Sequence, residues 1–186
     1  MEADFFIVGQ GLAGTLLAYE LISRNMKVIV FDDLQNTKAS DVAAGLINPV
    51  VFRRMTKTAL LDVAFPQMEV TYLKMEELLH EKFYFPGRIL KLLNEEGDLL
   101  WKNKVFASQL TDYISPIPVP PDQIEVSKNT YSIGLINKSG RIDLQNLIHS
   151  FRKLLIEQNL INFGPFEYDK LTIHAEYVHY KEHSAS

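Results

Sequence analysis

The sequence predicts an α/β fold built on a parallel sheet, and three observations lead there. A short apolar run, Phe5–Val8, ends at a glycine. Apolar residues then recur at threes and fours through Leu12, Leu16, Tyr19, Leu21 and Ile22, and a second apolar run, Val28–Phe31, closes on two aspartates. A strand, a helix and a strand in about thirty residues form one βαβ unit, whose two strands run parallel.

Each element has a local reason. Phe5–Val8 is unbroken and reads as a strand buried on both faces. The helix stops near Arg24-Asn25, where Asn tolerates the left-handed cap position. After a polar connection, Ala39 to Pro49 is rich in small residues, which let backbone approach a ligand closely. Residues 58–82 read as helical, with Pro66 either kinking that helix or starting a second one. Residues 83–93 and 131–136 have the aromatic and β-branched content of strands. Between them, Ser115 to Pro121 reads as an extended polyproline-like spacer on the surface. Gly140 to Asp143 then opens an amphipathic helix carrying Leu144, Leu147, Ile148, Phe151, Leu154 and Leu155, ahead of a strand-rich tail.

Composition narrows the function classes. The 186 residues, 47% of them apolar, can bury one sizeable core and a smaller second one. The net charge of -4 is spread over mixed acidic and basic residues without the basic stripe that a nucleic-acid partner requires. The chain has no cysteine, which removes disulfides and thiolate chemistry, and no apolar run approaches the length of a membrane span. With an acidic start in place of a basic signal region, the expected location is the cytoplasm.

Gly9-Gln10-Gly11-Leu12-Ala13-Gly14 matches G-x-G-x-x-G between a strand and the helix it opens, and Asp32 follows at about the expected twenty residues. In that Rossmann context Gly9 permits the tight turn, Gly11 lets a pyrophosphate reach the backbone, and Gly14 lets helix and strand pack closely. The amides of Leu12 and Ala13 and the helix dipole would hold the phosphates. Asp32 at the strand tip is the expected acceptor of a ribose hydroxyl and would repel a 2'-phosphate; Asp33 is the second candidate. The residues themselves stop at a dinucleotide and leave FAD and NAD open.

With Ile7 to Gly14, then Asp32, then Ser40 followed by Ala43, Ala44, Gly45, Leu46 and Ile47, the sequence resembles the D-amino-acid oxidase and glycine oxidase superfamily of FAD-dependent oxidoreductases. Gly140 to Leu144 is similar to that family's return into its FAD domain, where a Gly-containing turn leads into a helix. Phe163 to Phe166 is similar to the strand beside adenine, which makes Phe166 a candidate contact. The resemblance implies FAD as cofactor, with Ser40, Ala43, Ala44, Gly45 and Leu46 on its flavin side. It implies oxidation of an amino acid or small amine by hydride transfer to the flavin. It also implies a division into residues 1–82, the first part of a Rossmann-type FAD-binding domain, 83–138, part of an inserted β-rich substrate domain, and 139–186, the return. The family's second glycine-rich strand and C-terminal half are not in this sequence, so the expectation is an N-terminal portion of a longer protein.

A carboxylate substrate needs a cation, and Arg53 and Arg54, just after the small-residue segment, are the candidates; Arg88 and Arg141 are weaker ones. His174, His179 and His183 do not have the spacing of a metal set. Asn137-Lys138-Ser139, though a glycosylation sequon, reads as a polar loop patch; Trp101 reads as core cover, and Met55, Met68 and Met75 as packing on helices. Two other readings stand beside the flavoenzyme: an NAD-dependent dehydrogenase, and a non-catalytic dinucleotide-binding domain.

Overall fold

The computed structural model describes residues 2–34, 39–121 and 130–185. The chain forms two compact units, Met1–Ala43 with Leu144–Ser186, and Ala44–Asp143. The sequence reading divides the chain at 82/83 and 138/139 instead.

In the first unit, β2 (Phe5–Val8), α1 (Leu12–Ser23) and β3 (Val28–Asp32) follow one another, and the two strands pair in parallel. Leu21, Ile22 and the left-handed Asn25 close the helix as the sequence suggests. A third parallel strand, β9 (Ile161–Phe163), pairs with the other edge of β3, so the order is β2-β3-β9. Central β3 is buried throughout. By contrast Phe5 and Val8 are 43% and 46% exposed, against the expectation of a strand buried on both faces. The cause is position: among the described residues β2 pairs only with β3 and is an edge strand.

Alternation along β3 sends Ile29 and Phe31 to one face and Val28 and Val30 to the other. On the first face lies a second sheet, β1 (Glu2–Ala3), β12 (His183–Ala185), β11 (Val178–Tyr180) and β10 (Leu171–Ile173) in that order. Phe31 is boxed by the rings of Phe6, Phe166, Tyr180 and His183, with Ile29 and Ala3 in the same cluster. The helices pack on each other through Tyr19 of α1 and Phe151 of α5 (Leu144–Glu157), whose apolar stripe of Leu144, Leu147, Ile148, Phe151 and Leu155 is buried.

The second unit is organised by a long antiparallel ribbon, β7 (Tyr84–Leu93) with β8 (Ser132–Ile142), to which β4 (Leu46–Ile47) adds a short third strand. Here Gly140 to Ile142 belongs to a strand, which corrects the expected helix-opening turn. Gly140 pairs with Ile47 and Pro86, and a Cβ there would stand 2.7 Å from the Phe85 carbonyl oxygen. Ser115 to Pro121 is not a free spacer either. Ser115 and Val119 donate to β8 carbonyls, and Ile114 bridges to Ile136 in the core.

Two helices cover the ribbon. α3 (Leu61–Leu79) is a single helix that runs through Pro66. α4 (Glu95–Ala107), absent from the sequence reading, carries its own start signal: Asn94 caps the amide of Gly97, and Glu95, Glu96 and Asp98 fill the first turn. Its Trp101 is wholly buried, donates its indole N–H to the Ser115 carbonyl at 2.8 Å, and lies flat on Gly134. Phe65, Leu110, Tyr113 and Ile136 complete this core, together with Met55, which sits on a tight turn and not on a helix. That turn joins β5 (Val50–Val51) to β6 (Thr56–Lys57). Among the described residues no helix is long and apolar enough to cross a membrane.

At the end of α3, Glu76 accepts from the amides of Phe83 and Tyr84 and pairs with Lys82 at 2.7 Å. Burial alone would raise its pKa, but Lys82 and the two amides outweigh it and hold the carboxyl below its ordinary value of 4.5. A depressed folded pKa contributes stability above that value, lost as the pH falls through the folded one. Glu76→Gln should therefore lower the melting temperature at neutral pH, with the gap to wild type closing as the pH falls below the ordinary carboxylate range. A constant gap would remove the charge from the explanation. Gly134→Ala would place a Cβ 2.4 Å from the Trp101 ring. It should cost about 1–3 kcal/mol in urea unfolding followed by the fluorescence of this single tryptophan.

Candidate functional site

The glycine-rich loop links β2 to α1, and each glycine has its own constraint. Gly9 has φ +94°, a conformation costly for a residue with a Cβ, and its amide donates to the Phe31 carbonyl at 2.7 Å, fastening the loop to β3. A Cβ on Gly14 would lie 1.9 Å from the Gly9 carbonyl oxygen, so no other residue fits. A Cβ on Gly11 would meet Ser40 Oγ at 3.2 Å. Gly11 is also the N-cap of α1. No side chain caps it and no acid lies in the first turn. The first helical bond is Thr15 N–H to Gly11 C=O, which leaves the amides of Leu12, Ala13 and Gly14 outside the helix's own ladder.

Above these amides lies a cavity of about 570 Å³. Val8, Gly9, the stretch from Gly11 to Gly14 and Leu144 form part of its wall, and Ala39, Ser40 and Ala43 form the rest. Ala39 and Ser40 open a four-residue helix, α2 (Ala39–Val42). The structure thus brings the glycine loop and the start of the small-residue segment to one cavity within the first unit.

Asp32 stands at the end of β3 with its side chain 1% exposed. Its Oδ1 accepts from the Gln10 amide at 2.7 Å, and Oδ2 faces Arg152 at 3.4 Å. Gln10, itself wholly buried, donates from Nε2 to Thr15 Oγ1 and to the Ile148 carbonyl, and its Oε1 accepts from Arg152 Nε. The loop, α1, β3 and α5 therefore meet in one polar network. Sequence reasoning missed Gln10 and Arg152. Their signals were a buried-type position filled by an amide inside the motif, and a cation four residues after Ile148 on the apolar stripe of α5.

The other candidates lie apart from this cavity's lining. Asp33 is half-buried just beyond β3. Phe166 stacks on Tyr180 at 4.1 Å and belongs to the aromatic cluster around Phe31. Ala44, Gly45 and Leu46 belong to the second unit, where Gly45, at φ +66°, is packed so closely on β8 that a Cβ would lie 1.9 Å from the Ile142 carbonyl oxygen. Arg53 and Arg54 are exposed on the turn between β5 and β6, also in the second unit. Among the described residues no group of three His, Asp or Glu side chains is placed to hold a metal; His174 stacks on Tyr177, and His183 packs against Phe6 and Phe31.

No family model matches the chain. Solved structures do. Glycine oxidase from Geobacillus kaustophilus aligns with a TM-score of 0.72 at 15% identity, over 95% of this chain and 50% of that one. L-alpha-glycerophosphate oxidase from Mycoplasma pneumoniae, solved with FAD bound, aligns at 0.66 and 16% identity, over 100% and 52%. L-proline dehydrogenase from P. horikoshii aligns at 0.67 and 13% identity, over 95% and 48%. The chain shares their fold and spans about half the length of each.

Gln10→Leu keeps the volume but leaves Arg152 Nε without its acceptor and removes two side-chain donors. It should destabilise the chain by about 1–3 kcal/mol in urea unfolding followed by circular dichroism. An unchanged midpoint would show that the network carries no stability.

Proposed function

We propose that this chain is the FAD-binding part of a flavin-dependent oxidoreductase acting on an amino acid or related small amine, and that its first unit is a dinucleotide-binding domain of the Rossmann type. The observation that carries the reading is the cavity of about 570 Å³ walled by the glycine loop, the uncapped start of α1, and Ser40. The cofactor is supported by the shared fold, since one of the matching proteins was solved with FAD bound.

On this reading the amides of Leu12, Ala13 and Gly14, at the positive end of the α1 dipole, hold the pyrophosphate, and Gly11 keeps its approach clear. Asp32 accepts a ribose hydroxyl and shares its carboxylate with Arg152, with Asp33 beside it. Ser40 and Ala43 face the flavin side; Ala44, Gly45 and Leu46 follow them directly in the chain. Phe166 serves the adenine end. When bound, the flavin supplies the acceptor for a hydride leaving the substrate's α-carbon. Arg53 and Arg54 are proposed as partners for a substrate carboxylate, because a guanidinium fork pairs both oxygens. The second unit is proposed as part of the substrate domain.

The test is a visible spectrum of the purified chain, followed by titration with FAD and, separately, with NAD, read by flavin fluorescence and calorimetry. Wild type should bind FAD, and Gly11→Val should abolish binding by filling the phosphate approach. Asp32→Ala should weaken it by about tenfold, the loss of one charge-assisted hydrogen bond. Binding of NAD in place of FAD would turn the reading to a dehydrogenase, and Gly11→Val that binds FAD as wild type does would remove the loop from the site.

A further inference from the structure

The second sheet of the first unit is held on the parallel sheet unevenly. β10 and β11 bring Leu171 and Tyr180 to the aromatic cluster around Phe31. β12 brings less, and so does β1, which among the described residues pairs with β12 alone. Alternation turns Ala3 of β1 and His183 and Ala185 of β12 inward, and two of these three are alanines. The imidazole of His183 is therefore the largest inward group of the two strands.

That residue is 8% exposed, and its ring packs edge-on against Phe31, with 5.7 Å between centroids, and against Phe6, with 6.5 Å. Its Nδ1 is sealed from water and has no hydrogen-bond partner among the described residues. Nε2 lies 3.5 Å from Oε1 of Glu182, whose own side chain is 79% exposed. The other charged or titratable groups that act on it are the chain's amino terminus and His179 of β11, while β2 and β3 present the rings of Phe6 and Phe31. A neutral imidazole can occupy this place with one nitrogen idle. An imidazolium would put a second N–H donor among aromatic rings with nothing to accept it. Burial first, then the amino terminus, hold the imidazole below its ordinary value of 6.5; His179 adds to this and Glu182 opposes it.

We propose that His183 is an acid-sensitive latch: uncharged, it holds β12 and, through it, β1 on the aromatic face of the parallel sheet; protonated, it lets both strands go. The opened chain takes the proton at the ordinary value and the closed chain only below it. The stability that His183 contributes is thus whole above pH 6.5 and is lost as the pH falls through the lower value of the closed chain. Acid then uncovers Phe31, whose carbonyl fastens the glycine loop through the Gly9 amide. The opening is local, confined to the two strands that His183 anchors, and makes no use of a dinucleotide.

The test is amide hydrogen exchange of the nitrogen-labelled chain, without flavin, corrected for the intrinsic rate at each pH. Between about pH 7.5 and about pH 5.5 the amides of β1 and β12 should open about tenfold more often, the ratio expected when only the opened form takes a proton at the ordinary value. The amides of Val28–Asp32 in β3 should keep their protection. His183→Phe, which keeps a ring and gains no proton, should abolish the difference, and His179→Gln, at an exposed position, should leave it as in wild type. A titration of the imidazole protons, with His183 assigned by its loss in His183→Phe, should place this residue below 6.5. The proposal is overturned if β1 and β12 open equally at the two pH values, if the rise persists in His183→Phe, or if His183 titrates at its ordinary value or above. It is equally overturned if β3 opens in step with the two strands, which would be general acid unfolding. Should His183→Phe fail to fold, exchange in the wild-type chain still decides. Because flavin is absent throughout, none of these outcomes bears on the dinucleotide reading, and a failure to bind FAD leaves the latch untouched.

Discussion

The first unit depends on a buried polar junction centred on Gln10. A primary amide sealed from water must satisfy its donors and acceptor internally or destabilise the fold. Gln10 does so by reaching Thr15 on α1, the Ile148 carbonyl on α5 and the Arg152 guanidinium, while its own backbone amide holds Asp32. These contacts fix the loop against α1 and β3, which follow it closely in sequence, and against the distant α5. The close approach of Gly14 to the Gly9 carbonyl then determines where the first helical amides stand, and with them the cavity they line. The acid at the tip of β3 is oriented from inside the protein, by a residue of the loop it serves.

The second unit solves a different problem. A long two-stranded ribbon has little stability alone and needs a face to bury. α4 supplies it by laying Trp101 flat on Gly134, a strand position where a side chain would collide with the ring, and by tying the indole N–H to Ser115. The same helix pairs Asp98 with Lys102 and with Ser132 at the start of β8. Burial alone would raise the Asp98 pKa, but Lys102 and Ser132 hold it below the ordinary value. The segment from Ile114 to Val119 is drawn onto β8 by the same need, because its backbone groups find partners there.

Much of the first unit was legible in advance because its signals are local. The G-x-G-x-x-G run between two apolar runs specifies a strand, a turn and a helix within a few residues, and Asn25 marks the helix end where the structure puts it. The helix 144–157 showed its apolar stripe directly. Where reading failed, the deciding contacts were distant. Gly140 to Ile142 look like a turn until Ile47 and Pro86 are seen to pair with Gly140. Phe5 and Val8 look doubly buried until β2 proves to lie at an edge. The start of α4 was readable from Asn94 and the acids after it, but its apolar residues follow no clean stripe, so periodicity was silent.

The sequence by itself determined the parallel strand-helix-strand start, the places that admit only glycine, and the positions of the acid and the small-residue segment. These follow from backbone sterics and from apolar spacing, which act over a few residues. Only the tertiary structure decided that Gln10 and Arg152 hold Asp32, that Ser40 and Ala43 share a cavity with the loop while Gly45 packs on β8, and that His183 is sealed beside Phe31. Each of these joins residues remote in sequence through hydrogen bonds, close packing or charge. Such contacts exist only once the chain has paid the entropy of bringing its distant segments together.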